Sequence, residues 1–293
     1  MILNWNNAKN TLHCLESIKT SDYKQYQVLV VDNGSTDESA AVLHRTYPDL
    51  TIIETGQNLG YTGGNNAGIK YFLNMGVDYI LLLNDDVVLE PPTLTFLTDA
   101  ASAHPQAGFL GPIIFAIGKA DFLLSAGGTL EDGYIARHNA IGQLDPANHD
   151  DAYTFDFISG CAMMVKRELI ENVGLLDEDY FLYYEEIDWC YRGQQSGYEI
   201  RLAPKARIWH PDTYERDKDS PLVTYYSTRN RLLFARKHKL GWVVIARLMA
   251  GYSRQLLSWS LRPRWREKSA QRQALAQAML DFLHHRNGEW QSW

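Results

Sequence analysis

The stretch Tyr79-Ile80-Leu81-Leu82-Leu83-Asn84-Asp85-Asp86 constrains this chain most, because an unbroken apolar run stops there at two adjacent carboxylates. A short apolar run with polar ends reads as a strand buried on both faces of a parallel sheet. Open α/β sheets bind ligands beyond the carboxyl ends of their strands, where Asp85 and Asp86 fall. Adjacent carboxylates repel unless they share a cation, so one reading is a divalent metal holding a phosphorylated ligand. An Asp-rich turn is the alternative, and the motif alone does not separate the two.

The preceding sequence alternates strand and helix. Met1–Asn4 reads as the end of a strand, and Ala8–Thr20 as a helix with Leu12, Leu15 and Ile18 on one face. Gln27–Val31 is a buried strand ending at Asp32; Asn33–Asp37 is turn and cap, a helix runs to Tyr47, and Thr51–Ile53 is a third strand. Gly60–Gly64 reads as a glycine-rich loop entering a helix that carries Ile69, Phe72 and Leu73. This order predicts a doubly wound sheet of the nucleotide-binding type. Four loops then meet at one sheet edge: Asn4–Asn6, Asp32–Ser35, Asn58–Asn66 and Asn84–Asp86. Asp32 could accept the ring N–H of a pyrimidine or serve as a helix cap, the amides suit ribose and base, and the helix after Gly64 could offer backbone N–H groups to phosphate. Neither a P-loop nor a strand-anchored GxGxxG is present.

A second cluster lies between Phe155 and His210. Phe157–Val165 reads as a strand, with Gly160 allowing close approach. The helix that starts near Glu185 and stops at Gly197 places Ile187, Cys190, Tyr191 and Gln194 on a core face. Glu185, Asp188 and Arg192 share another face, where an intrahelical Asp188–Arg192 pair is expected, and Glu186 sits in the first turn, where acids often serve the helix dipole. Two further strands, Tyr198–Leu202 and Ala206–Trp209, lead to His210, either a structural histidine or a metal ligand beside Asp86.

At 293 residues, 45% hydrophobic and 22% charged, the chain can bury a substantial core. Cys14, Cys161 and Cys190 are scattered and odd in number, pointing to a reducing compartment without structural zinc. No signal peptide or membrane-length run is visible, so a cytoplasmic location is expected. Charge is asymmetric: residues 229–268 hold eleven Lys or Arg against Glu267, a net +10, so with −7 overall the remainder carries −17. A basic tail on an acidic body suits a membrane surface, a lipid-linked phosphate or another protein better than nucleic acid. Within it Trp242, Ile245, Met249, Tyr252, Leu256 and Trp259 recur at helical spacing, with Arg247, Gly251, Arg254 and Ser258 opposite. That helix either packs on the body or on a second subunit in a homodimer, or lies at a membrane interface as a peripheral contact. The stretch to Trp293 reads as one more helix.

In order, Leu3-Asn4-Trp5-Asn6, Val30 through Asp37, Asn58-Leu59-Gly60, Gly64-Asn65-Asn66 and Leu83-Asn84-Asp85-Asp86 resemble the family 2 glycosyltransferases with a GT-A fold. Ser159-Gly160, Tyr184 through Asp188, Tyr198 through Pro204, His210 and Tyr225 through Arg231 continue the likeness, most closely to a bacterial rhamnosyltransferase-like branch that builds surface polysaccharide. The resemblance implies an α/β GT-A (nucleotide-diphospho-sugar transferase) fold, a mixed, mostly parallel sheet flanked by helices with a C-terminal helical extension. It implies a catalytic domain over 1–215, with a nucleotide-binding half about 1–110 and an acceptor half about 111–215, and a basic, Trp-rich extension over 216–293.

The resemblance also implies roles. Asp32 reads the base, and Asn4, Asn6, Asn58, Gly64, Asn65 and Asp85 complete the nucleotide pocket. Asp86 and His210, with Asn84 as a weak ligand, hold Mn²⁺ or Mg²⁺. Glu186 is the base, Glu185 its alternative, and Asp188 a further catalytic residue, the last of the family's acid-acid-x-Asp motif. The donor is a dTDP- or UDP-linked sugar, rhamnose being the family-based expectation, and the acceptor is a saccharide or a polyprenyl-linked sugar shaped by the loop-rich 112–155 stretch. Three departures stand out: Asn84 replaces the usual first Asp, Glu replaces the usual Asp at the base, and the first strand is short enough that several of its residues are expected to be missing. Without a QxxRW motif or membrane spans a processive synthase is not expected, and Asn4-Trp5-Asn6-Asn7 does not suit a sugar-nucleotide pyrophosphorylase. A non-catalytic nucleotide-sugar or glycan binder of the same fold is the remaining alternative.

Overall fold

The computed structural model describes residues 1–119, 122–139, 142, 155–213 and 220–291. The expected boundary at 215/216 and much of the expected acceptor loop lie outside the described residues. The chain divides into two compact units, one of residues 1–131, 136–176 and 186–212, the other of 132–135, 177–185 and 213–293.

In the first unit, β1 (Ile2–Asn4), β2 (Leu29–Asp32), β3 (Thr51–Glu54) and β4 (Tyr79–Asn84) run parallel in the order β3-β2-β1-β4. The sheet continues beyond β5 (Val88–Leu89), β6 (Ala107–Ala116) and β7 (Leu123–Ser125) in the chain; β8 (Gly128–Glu131) and β9 (Ile135–His138) form a separate pair. β10 (Ala162–Lys166) is antiparallel to both β4 and β6, and β11 (Glu199–His210) is parallel to β6. All ten residues of β6 are buried, as expected of a strand covered on both faces.

The helices of this unit are α1 (Ala8–Lys19), α2 (Ser39–Thr46), α3 (Gly60–Met75), α4 (Thr93–Ala103), α5 (Arg167–Val173) and most of α6 (Glu185–Gln195). Cys14, Leu15 and Ile18 of α1 and Leu43 of α2 pack with Ile2, Val30 and Leu83 of the sheet. α3 shows its glycines to the strands: a Cβ at Gly64 would stand 2.5 Å from Leu3 Cδ1, and one at Gly68 would stand 2.9 Å from Val31 Cγ2. Helix and sheet approach closely there because those side chains are missing.

Three expectations need correction. The Gly60–Gly64 stretch is already helix: Gly60, at φ 71°, turns the chain into it, and Asn58 Oδ1 accepts the Gly60 N–H at 2.8 Å. With Asn33 Oδ1 also accepting from Leu59 N–H, two amides at this helix start are bonded internally and are not offered to a phosphate. The 157–165 strand begins only at Ala162, Phe157 making a single bridge to Gly128. The two strands expected over 198–209 are one, β11, with its pairing irregular between Ala203 and Arg207.

At the starts of β2 and β4 lies a cavity of about 470 Å³ lined by Gln27, Val28, Tyr79, Ile80 and Leu81. The Met1 amine is buried, donates to Leu81 O at 2.7 Å, and is lowered by burial to about 5. This is the end of the sheet opposite the four loops.

The second unit is helical: α7 (Pro221–Lys237), α8 (Trp242–Leu261) and α9 (Ser269–Leu283). Ser220 caps α7, and Pro221 occupies its first turn, where a missing N–H costs nothing. Tyr225 and Tyr226 of α7 pack on Ala274 and Ala278 of α9, with Phe181, Leu182, Tyr183 and Trp290 against them. Tyr225 stacks on Trp290 at 4.7 Å and donates to Asp281 Oδ2 at 2.7 Å. On α8 Ile245, Met249, Tyr252, Leu256 and Trp259 are partly covered, as the packed alternative expects, whereas Trp242, the first residue of the helix, is 79% exposed.

Candidate active site

Strand register brings the loops that begin at Asn4, Asp32 and Asn84 together. Asn4 pairs with Asp32 and Leu3 with Asn84, so three strands end side by side. Asn4 is fully buried: its Nδ2 donates to Asp32 Oδ1 at 2.6 Å, and its Oδ1 accepts from Thr11 Oγ1 at 2.7 Å. Asp32 also accepts from Ser35 N–H at 3.0 Å and Ser35 Oγ at 2.6 Å. Asn6, at φ 52°, accepts from Thr36 N–H at 2.7 Å. Asn58 accepts from Asn33, and Asn65 donates back to Tyr61 O within α3. These polar side chains therefore build the walls of the edge from inside. Ser35 and Asn33, which the sequence reading left without roles, are the hubs that join the loops; their signal was their place immediately after Asp32 in a loop of small and amide residues.

Asp85 and Asp86 follow β4 directly. Burial, with the Asp86 charge beside it, raises Asp85 to about 7, against a stabilising hydrogen bond from Asn7, another residue not singled out from sequence. Antiparallel pairing of β11 with β5, Trp209 opposite Val88, carries His210 to the same place. His210 Nε2 stands 3.2 Å from Asp86 Oδ1, within ion-pair range but off hydrogen-bond geometry, and that buried oxygen has no hydrogen-bond partner among the described residues. Burial pulls the His210 pKa down, but Asp86 and the Pro211 carbonyl outweigh it, and the net direction is up. Among the described residues no three His, Cys, Asp or Glu side chains form a closed metal cage. The Asp86–His210 pair is an open arrangement, and an orphaned carboxylate oxygen beside an imidazole suits a hard divalent cation with positions left for other ligands. Asn84 binds through its backbone N–H to Cys161 O at 3.0 Å.

The second cluster joins the first at Cys161. Burial raises the Cys161 thiol to about 12, with the Asp86 and Glu186 charges both adding. A Cβ at Gly160 would lie 2.9 Å from Tyr61 Oη and 3.7 Å from Glu186 Cβ, so this glycine lets Tyr61 approach the turn beside Glu186. Tyr61 Oη donates to Gly160 O and fixes that turn. Glu186 is partly exposed, whereas Glu185 is 4% and Asp188 1% exposed. Asp188 accepts from Arg192 Nε at 2.7 Å, the intrahelical pair expected from spacing, and Arg192 also donates to Val173 O and Leu175 O. Asp188 thus anchors α6.

Residues 1–174 match the model of glycosyl transferase family 2. N-acetylglucosaminyl-diphospho-decaprenol L-rhamnosyltransferase of Mycobacterium tuberculosis is 28% identical over 276 residues, 85% of this chain and 83% of that one. dTDP-rhamnosyl transferase RfbF of Shigella flexneri is 22% identical over 222 residues, 72% of this chain and 71% of that one. The crystal structure of GalNAc-T7 with UDP, GalNAc and Mn²⁺ superposes with a TM-score of 0.65 at 14% identity, covering 97% of this chain and 55% of that chain.

Proposed function

The chain belongs to glycosyl transferase family 2, with a GT-A fold, and we propose that it is an inverting rhamnosyltransferase acting from a dTDP-linked donor onto a lipid-linked saccharide in surface polysaccharide synthesis. The observation that carries this reading is that His210 stands beside Asp86 just past the carboxyl end of β4, while Glu186 stands beside Gly160. The rhamnosyltransferase names of the two relatives support the sugar, and the decaprenol-linked substrate in one name supports the acceptor class.

In this reading Asp32 and Asn4 form the floor under the base, and Asn6, Asn58, Gly64, Asn65 and Asp85 line the nucleotide pocket. Asp86 and His210 hold Mn²⁺ or Mg²⁺, with Asn84 contributing weakly. A bound divalent ion there neutralises charge on a leaving diphosphate. Glu186 takes the proton from an acceptor hydroxyl. The acceptor oxygen bonds to the anomeric carbon while the carbon–phosphate-oxygen bond breaks, and the nucleoside diphosphate leaves on the opposite face. One displacement inverts the anomeric centre. Glu186 suits the task better than Glu185 because it is the more exposed of the two and stands beside Gly160.

Isothermal titration with dTDP and UDP, with and without Mn²⁺, tests the donor half. Wild type should bind dTDP only with metal, and Asp86→Ala should weaken that binding by about 10- to 100-fold, the worth of a charge-assisted contact. Binding unaffected by metal and by the substitution would remove the metal from this reading. Failure of a folded chain to bind either nucleotide would favour the non-catalytic alternative.

A further inference from the structure

Among the described residues, the outer face of α8 is exposed. Trp242, Val243, Leu257 and Leu261 are 79, 50, 60 and 77% exposed. At helical spacing they fall with Ala246, Ala250 and the small residues Ser253 and Ser260 in one arc of about 100°. Arg247 and Arg254, both exposed, run along one edge of that arc. Past the helix end, Arg262, Arg264 and Arg266 are exposed, the Arg264 guanidinium lies 4.8 Å from the Trp265 ring, and the Lys268 ammonium lies 5.4 Å from both Trp259 and Trp265. A cavity of about 240 Å³ opens there, lined by Arg262, Arg266 and Arg272. Arg272 is fixed by donating to Trp259 O at 3.0 Å and Trp265 O at 2.9 Å. From Ser220 to Arg266 the sequence holds no Asp or Glu.

We propose that α8 docks on an anionic phospholipid surface, with its exposed apolar arc in the headgroup–acyl boundary and Arg262 and Arg266 taking lipid phosphates. Three features favour this occupant. The apolar arc and the cations share one surface, the pattern of a helix lying in a membrane interface. Among the described residues no helix is long and apolar enough to cross a membrane, so α8 lies on the bilayer and does not span it. A second copy fits worse, because a two-fold contact through this face would set Arg247 and Arg254 against their counterparts with no carboxylate from residues 220–266 to neutralise them. The inference stands on the C-terminal unit alone and does not rest on the transferase reading. It would keep the chain where a lipid-linked acceptor is found.

The test is flotation of the full chain with phosphatidylcholine vesicles and with mixed phosphatidylcholine–phosphatidylglycerol vesicles. Wild type should float with the anionic vesicles only, and added salt should release it. Arg262→Ala/Arg266→Ala should weaken binding by roughly 25-fold, about five-fold for each arginine near the surface. Leu257→Ser/Leu261→Ser, at exposed positions and with circular dichroism matching wild type, should abolish flotation. Absence of wild-type binding to anionic vesicles overturns the proposal. So does undiminished binding of the leucine variant, which would reduce the effect to charge. A wild-type dimer by light scattering that this variant dissolves, without vesicle binding, would assign the face to a second copy instead.

Discussion

Glu186→Gln should lower kcat by about 10²- to 10⁴-fold, the usual contribution of a positioned general base, and leave dTDP affinity at the wild-type value. Glutamine keeps the shape and hydrogen-bonding length of the side chain but cannot accept a proton. The first turn of α6 brings Glu186 beside Gly160, its Cβ 3.7 Å from where a Cβ on that glycine would stand. Glu185→Gln is the control. That residue is buried and opens α6, so its loss should show in stability before it shows in kcat. Steady-state kinetics paired with nucleotide titration separates the two. If Glu186→Gln turns over at the wild-type rate while Glu185→Gln does not, the base assignment passes to Glu185.

Asn230→Leu should destabilise the C-terminal unit by about 3 kcal/mol or more, because it strands buried polar groups without partners. Phe181, Tyr183 and Tyr184 take left-handed backbone conformations, with φ of 65°, 65° and 74°. Each costs of order 1–2 kcal/mol for a residue with a side chain, so something must hold them there. Asn230 Nδ2 lies 3.0, 2.8 and 2.6 Å from the carbonyl oxygens of Tyr180, Leu182 and Tyr183. Arg229, 1% exposed, donates to Tyr180 O at 2.8 Å and Asp179 O at 3.1 Å, and its Nε donates to Asn230 Oδ1. Lys237 closes the other end on Asp177 and Asp179. Leucine fills the space of asparagine without a donor, so chemical denaturation isolates the hydrogen bonds from the packing. A loss below about 1 kcal/mol would mean that the segment holds its own conformation. Because this segment leads directly into Glu185 and Glu186, the same variant should also lower kcat more than it lowers nucleotide affinity.

Much of this was legible in the sequence because it depends on near neighbours. The run Tyr79–Leu83 followed by Asp85-Asp86 specifies a buried strand with carboxylates at its end, and β4 has those bounds to within a residue. The Asp188–Arg192 pair follows from a spacing of four on a helix. The start of α3 misread as loop because glycine is a turn residue by local preference; at Gly64 and Gly68 it serves instead to let the helix meet Leu3 and Val31, neighbours that no local window contains. The break expected near Ala203–Ala206 misread in the same way, since parallel pairing with β6 carries the strand across it.

By itself, then, the sequence determined the order of strands and helices, the loops that carry polar residues and the basic character of the tail, all of them matters of periodicity and composition over a few residues. Only the tertiary structure decided that His210 stands at Asp86, that Glu186 stands beside Gly160, and that residues 177–185 belong with the C-terminal helices. The physical reason is distance along the chain. An antiparallel pairing of Trp209 with Val88, or a buried Asn230 bonded to Tyr180 O, gains its energy from groups far apart in sequence, and only the packed sheet and helices bring them within reach.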